Sequence, residues 1–200
     1  MLIISFDLGE ANFACFAISV DDGEASQLRS HADAHAIGDS SATCIEHWSN
    51  SEIIERGKSI AEFVQAVGEH IRRGWVSLFS RADHVVIEQQ LLRNPRMKCA
   101  AHALQGIFAF NGIGTTLMPP RHKFRAFPAK LSGKERSSDL KKISVILAHE
   151  WVLSYRGRLA AGVDDAFALM SNEHGPKRDD LADAALQAVS SLYAQRPPRQ

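Results

Sequence analysis

The chain has 200 residues, 45% hydrophobic and 23% charged, with 23 Lys+Arg balanced by 23 Asp+Glu; that is an ordinary globular composition, large enough for a real core, and it excludes disordered and fibrous classes. No apolar run approaches the roughly 20 residues of a membrane span, and no signal or transit segment precedes the first strand, so a chain that is not secreted and has nothing cleaved from it is expected. Cys15, Cys44 and Cys99 are odd in number and widely spaced, and read as reduced core residues, not a disulfide framework or zinc site.

The zero net charge is unevenly spread. Residues 1–90 carry 6 Lys/Arg against 14 Asp/Glu, residues 91–158 carry 13 against 3, and residues 159–200 carry 4 against 6. A basic middle third of that size is a phosphate-binding surface in prospect, although a solvated basic face has the same composition.

In chain order, Leu2-Ile3-Ile4-Ser5-Phe6-Asp7-Leu8-Gly9 is an apolar strand ending on a carboxylate. A turn at Glu10-Ala11-Asn12 leads to a second strand, Phe13 to Val20, closed at Asp21-Asp22-Gly23. One or two further strands are expected at about 29–37 and 42–48, which makes an antiparallel meander. Ser49 and Glu52 fit a capping box, so a helix is expected from Ser49 through Ile53, Ile60, Val64, Val67 and Ile71 to Gly74. Val85-Val86-Ile87 is a short buried strand that also ends on a carboxylate, Glu88. The long helix before it makes a crossover, so this strand runs parallel to the first and both acids lie at carboxyl ends.

Asn94 as N-cap and Pro95 at the first position open a helix over about 96–110 that buries Met97, Ala101, Leu104 and Phe108. Gly114 to Met118 is the next strand, stopped by Pro119-Pro120. Residues 121–142 hold Arg121, Lys123, Arg125, Lys130, Lys134, Arg136, Lys141 and Lys142, interleaved with Phe124 and Phe127. These phenylalanines either wedge between unstacked bases or, more plainly, one packs in the core and the other is exposed. A helix resumes near Ser138-Asp139 with Ile143, Ile146, Leu147 and Trp151; another covers about 162–170; the last starts near Asp179 and stops before Pro197-Pro198. No repeat or linker divides residues 1–200, so one domain is expected.

The last helix carries Asp180 and Asp183 on one side, away from a core stripe of Leu181, Ala185, Ala188 and Leu192. Taken singly, Asp7 suits a turn and Asp179 and Asp180 suit a helix N-terminus. Together with Glu88 they form a set of carboxylates that repel one another unless protons or divalent cations neutralise them. Hard oxygen ligands select Mg²⁺, with Mn²⁺ as a substitute. Two such ions, about 4 Å apart, clamp the attacking water and the leaving oxygen of a phosphodiester. His31 and His35, the closest histidine pair, would be roughly 13 Å apart on a strand, too far for one ion; His174, in a loop, is given no role.

Ile4-Ser5-Phe6-Asp7-Leu8-Gly9 with Asn12, Val86-Ile87-Glu88-Gln89-Gln90, Arg93-Asn94-Pro95-Arg96-Met97-Lys98, and Lys177-Arg178-Asp179-Asp180-Leu181-Ala182-Asp183-Ala184 resemble, in order and spacing, the motifs of RuvC-type Holliday-junction resolvases. The third and fourth are closer to the poxvirus and mitochondrial branch than to the bacterial one. The resemblance implies an α/β, RNase H-like fold: a central mixed five-stranded sheet, antiparallel meander plus parallel strands, flanked by helices. It also implies a Mg²⁺-dependent endodeoxyribonuclease that resolves four-way and other branched DNA as a homodimer making paired nicks, with Asp7, Glu88, Asp180 and Asp183 as catalytic metal ligands. Such enzymes tend to have a catalytic lysine between the second and third acidic motifs; Lys142 is taken as that catalytic lysine, and Lys141 fits as well. Arg93, Arg96, Lys98, Arg121, Lys123, Arg125, Lys130, Lys134, Arg136 and Lys141 would contact DNA phosphates. Glu10 stands where many relatives carry Thr or Ser, and residues 150–176 look longer than in the shorter viral members. Neither a small-molecule cofactor nor a membrane enters this reading, which fits a cytoplasmic, nucleoid-associated or viral-replication location. Other readings are a ribonuclease H or transposase-like nuclease of the same fold, a domain of the actin and sugar-kinase type, for which 200 residues are too few, and a non-catalytic DNA-binding protein.

Overall fold

Alternating and continuous apolar patterns in this chain have one geometric outcome: a mixed sheet with a hydrophobic layer on each face. The computed structural model describes residues 1–9, 12–21, 34–52, 57–90, 94–127, 136–171 and 178–194. Its strands are β1 (Leu2–Leu8), β2 (Asn12–Val20), β3 (Thr43–Glu52), β4 (His84–Glu88), β5 (Gly114–Met118) and β6 (Arg158–Leu159). Among the described residues they form one six-stranded sheet in the order β5-β4-β1-β2-β3-β6. β1, β2 and β3 pair antiparallel, while β4, β5 and β6 join in parallel. The sheet thus has one strand more than the five expected, because the two-residue β6 adds to the β3 edge. The helices are α1 (Ala34–Gly38), α2 (Ile60–Gly74), α3 (Val76–Phe79), α4 (Pro95–Phe110), α5 (Ser137–Ser154), α6 (Asp164–Ser171) and α7 (Asp179–Ala194), with a 3-10 turn at His122–Phe124.

Side chains of a strand alternate between faces, and this sets the two layers. Ile3, Ala14, Phe16, Val86 and Met118 pack with α7, α5 and Trp151 on one face. Ile4, Phe6, Leu8, Phe13, Val85 and Ile87 pack with α2, α3 and α4 on the other. The second layer is an aromatic stack: the Phe6 ring centroid lies 4.6 Å from Phe13 and 5.7 Å from Phe79, and Phe79 lies 5.2 Å from Phe108. The first layer is organised by α7, all of whose residues from Leu181 to Leu192 are buried. A helix buried all round is a core helix, and burying each of its Leu and Val side chains is worth about 1.5–3 kcal/mol. Two polar anchors fix where α7 stops along the sheet. The Ser5 hydroxyl on β1 donates to the Ala184 carbonyl, and the Trp48 indole on β3 donates to the Leu181 carbonyl at 3.2 Å.

Several local expectations give way to tertiary pairing. Ser49 and Glu52 do not open a helix; β3 continues through them because β2 offers partners as far as Asn12↔Glu52. The capping box is built ten residues later, at Ser59 and Glu62, where α2 begins. The strand expected at about 29–37 is replaced over Ala34–Gly38 by a helical turn, clamped by Ala34 N–H to Ala126 O at 2.7 Å and by the Trp151 indole donating to Ala34 O at 3.1 Å. Residues 29–33, with His31, lie outside the described residues, as do Glu10, His174 and the side chain of His35.

Of the three cysteines, only Cys15 is a core residue; Cys44 is half-buried and Cys99 exposed. On α5, Trp151 is buried and Ile143 and Leu147 pack against the core as expected, but Ile146 is 56% exposed, and Ala148 and Val152 are buried instead. Phe124 and Phe127 are both buried. Neither is free to enter DNA, and the expectation that one is exposed also fails. No helix among the described residues is long and apolar enough to cross a membrane.

Candidate metal centre

The alternation that builds the core also aims the acids. On β1, Ser5 reaches α7, so Asp7, two residues on, faces the same helix. On β4, Val86 lies in the α7 layer, so Glu88 does too. The β1–β4 register pairs Phe6 with Ile87, which sets Asp7 and Glu88 side by side one step further along parallel strands. From above the sheet, α7 brings down Asp183, one turn in from its N-terminus. Ligand oxygens of Asp7, Glu88 and Asp183 all lie within 4.8 Å of one another.

Asp183 is the most enclosed of the three, at 5% exposure, and its Oδ1 has no hydrogen-bond partner among the described residues. The nearby Ser144 hydroxyl directs its proton to the Leu140 carbonyl at 3.0 Å. An orphaned carboxylate oxygen in a cluster of hard donors suits a divalent cation, and three carboxylates fit Mg²⁺ or Mn²⁺.

Burial, followed by the charges of Glu88 and Asp183, pushes the Asp7 carboxyl well above the usual carboxylate range, and a hydrogen bond with Glu88 adds to the shift. Burial likewise raises Asp183; the Glu88 charge adds to this, and the attraction of Lys123 is not enough to cancel it. Without a divalent ion, the cluster therefore retains protons that exposed carboxylates would lose.

Asp180 faces the same cleft but stands outside the three-acid cluster. Its Oδ2 lies 3.5 Å from the side-chain amides of Asn12 and Asn50, which come from β2 and β3. Asp179 points elsewhere and forms an ion pair with Lys141. The cleft, about 330 Å³, is lined by both strand-end motifs, Asn94, Lys123, Lys141, Asp180 and Asp183.

The lysine that enters the carboxylates is Lys123. Its Nζ lies 2.6 Å from Asp183 Oδ2 and 3.6 Å from Glu88 Oε1. Burial alone would lower its pKa, but Asp183, Glu88 and Asp7 hold the ammonium above its ordinary value. Grouped by composition with the surface phosphate contacts, Lys123 is instead buried at 4% exposure. A readable signal precedes it: Pro119-Pro120 directly after β5 turns the chain back over the strand ends, so a lysine three residues later falls at the carboxyl edge of the sheet. Asn50 had no such signal, because β3 was not expected to reach it.

Lys142 is exposed on α5 and does not line the cleft. Arg125, Arg136 and Lys141 are exposed, and Arg96, Lys98 and Arg121 are half-buried. Arg93, Lys130 and Lys134 lie outside the described residues.

No model of a known protein family matches the chain, and no curated protein matches it. Among solved structures, fowlpox virus resolvase in complex with its substrate Holliday junction DNA aligns with a TM-score of 0.62 at 16% identity, over 97% of this chain and 98% of that one. The yeast mitochondrial Holliday junction resolvase aligns at 0.60 and 15%, over 96% and 77%, and Thermus thermophilus RuvC at 0.58 and 13%, over 98% and 96%. The chain has the RuvC-type Holliday junction resolvase fold, within the RNase H-like class.

The raised carboxyl groups make a stability prediction for the ion-free protein. Between the ordinary Asp value of 3.8 and the raised folded value of Asp7, the folded state binds more protons than the unfolded one, so stability falls as pH rises through that window. Asp7→Asn removes this cost while keeping the shape. In chelator, its melting temperature is expected to exceed that of the wild type at pH 7, with the gap closing toward pH 4; an equal or lower value at pH 7 would show that Asp7 is not under electrostatic load.

Proposed function

We propose that this protein is a divalent-metal-dependent endonuclease that resolves four-way and other branched DNA junctions. The observation that carries the reading is the convergence of Asp7, Glu88 and Asp183 from β1, β4 and α7 within 4.8 Å, on a fold whose solved examples include resolvases, one of them in complex with its substrate Holliday junction DNA. Asp7, Glu88 and Asp183 would hold the metal, with Asp180 as the fourth carboxylate at the mouth of the cleft. Bound Mg²⁺ or Mn²⁺, two ions in the full reaction, would lower the pKa of the attacking water and stabilise charge on the departing 3′ oxygen.

The chain's own residues do the positioning. Asn12 and Asn50 orient Asp180. The sheet fixes Asp7 and Glu88, and Lys123 supplies positive charge to Asp183 and Glu88. Of the basic residues expected to contact DNA, Arg93, Arg96, Lys98, Arg121, Arg125, Lys130, Lys134, Arg136 and Lys141 are the candidates to bind phosphates, with Lys142 beside Lys141. Such contacts give strong salt dependence and little sequence information. The work would take place wherever branched DNA forms, in cytoplasm, nucleoid or a viral replication site.

The test is cleavage of a synthetic four-way junction, a linear duplex and an RNA–DNA hybrid in Mg²⁺. The junction is expected to be cut preferentially. Asp7→Asn is expected to lose at least about 10³-fold in rate, on the order of 4 kcal/mol, while still binding the junction. Preference for the hybrid would instead support a ribonuclease H, and cutting that survives in Asp7→Asn would remove the metal assignment.

Paired nicks need two active sites, and we propose a homodimer. Its support is an apolar stripe on α4: Cys99, Ala103, Gly106, Ile107 and Phe110 recur at helical spacing and are all exposed, Phe110 by 91%. Sedimentation of the wild type is expected to give a dimer and that of Phe110→Asp a monomer. A monomeric wild type, or an unperturbed dimer in the variant, would contradict this use of α4.

A further inference from the structure

We propose that Lys123 is a built-in counter-cation: without DNA, its ammonium holds carboxylate oxygens that a second divalent ion would need, so the free protein takes one divalent ion per chain and admits the second only when a DNA phosphate draws the lysine away. This rests on the acidic cluster being a divalent-ion site.

The contacts divide the available oxygens. Asp183 Oδ2 and Glu88 Oε1 face the Lys123 ammonium at 2.6 and 3.6 Å, whereas Asp183 Oδ1 has no hydrogen-bond partner among the described residues. One side of the cluster is therefore closed by a cation the protein carries, and the other holds a buried carboxylate oxygen with no partner among the described residues. Charge favours the same division. Three carboxylates and one ammonium sum to −2, which one divalent ion cancels. Even with Asp180 counted, a second ion would leave an excess of +1 in a largely buried site, and such an excess is costly until an anion arrives. A phosphodiester in the cleft supplies that anion and an alternative partner for the lysine.

The surrounding structure fixes the backbone at Lys123. The Lys123 carbonyl accepts from the Ser190 hydroxyl at 2.6 Å, and the same hydroxyl accepts from the Ala126 N–H at 3.3 Å. Phe124 and Phe127, both buried, hold the turn on either side. Lys123 lines the cleft, so its four-carbon stem can swing toward a bound strand. Lys141 cannot substitute for it, because its ammonium pairs with Asp179, outside the three-acid cluster.

The experiment counts Mn²⁺ ions bound to the full chain without DNA, by calorimetric titration with free Mn²⁺ followed in parallel by electron paramagnetic resonance. The wild type and Lys123→Arg are expected to bind one ion per chain, and Lys123→Met two. If Lys123→Met does not fold in chelator, Lys123→Gln, which keeps a hydrogen-bond donor for Asp183, takes its place with the same expectation of two. The neutral variant's melting temperature is also expected to rise more on adding Mn²⁺ than the wild type's. Two ions in the wild type, or a single ion in the neutral variant, would overturn the role of Lys123 and leave the metal site standing. No ion in any of these proteins would overturn the metal-site reading beneath it.

Discussion

Like charges held within 4.8 Å of one another are the constraint to which the rest of this fold answers. Asp7, Glu88 and Asp183 gain nothing by meeting; burial and mutual repulsion raise the cost of ionising Asp7 and Asp183. They are kept together because each sits at or near the end of an element that the core holds in place. β1 is paired on both sides, by β2 and β4. α7 is buried along nearly all its length and pinned by Ser5 and Trp48. The two apolar layers supply the stability that the acidic cluster spends, which is the usual relation between a core and a charged site.

That division of labour explains where the polar exceptions lie. Ser5 and Trp48 are placed in the sheet to meet α7 carbonyls, and the Ser190 hydroxyl ties α7 to the Lys123 turn. Each of these anchors is worth only about 0.5–1.5 kcal/mol. Their importance is positional, since sliding α7 by one residue would rotate Asp183 by about 100° away from the strand ends.

Much of this was legible in the sequence because the acids sit at the ends of strongly patterned elements. The apolar runs before Asp7 and Glu88, the Asn94-Pro95 cap of α4 and the Pro119-Pro120 stop after β5 each carry a local signal, and the long crossover fixes β4 as parallel. What was illegible was set by distant partners. β3 overrides the Ser49–Glu52 cap signal because β2 pairs with it, α1 exists beneath Trp151, and β6 is two residues long. Lys123 was obscured by composition: among eight Lys and Arg over residues 121–142, only its place three residues after Pro119-Pro120 marks the one that turns inward. Only the geometry separates it from Lys142, which stays on the surface.

Anomalous diffraction from crystals soaked in Mn²⁺ tests the central claim most directly. A peak coordinated jointly by Asp7, Glu88 and Asp183 is the expected result. Mn²⁺ found only elsewhere, for instance at Asp179 and Asp180 on the helix end, would contradict it.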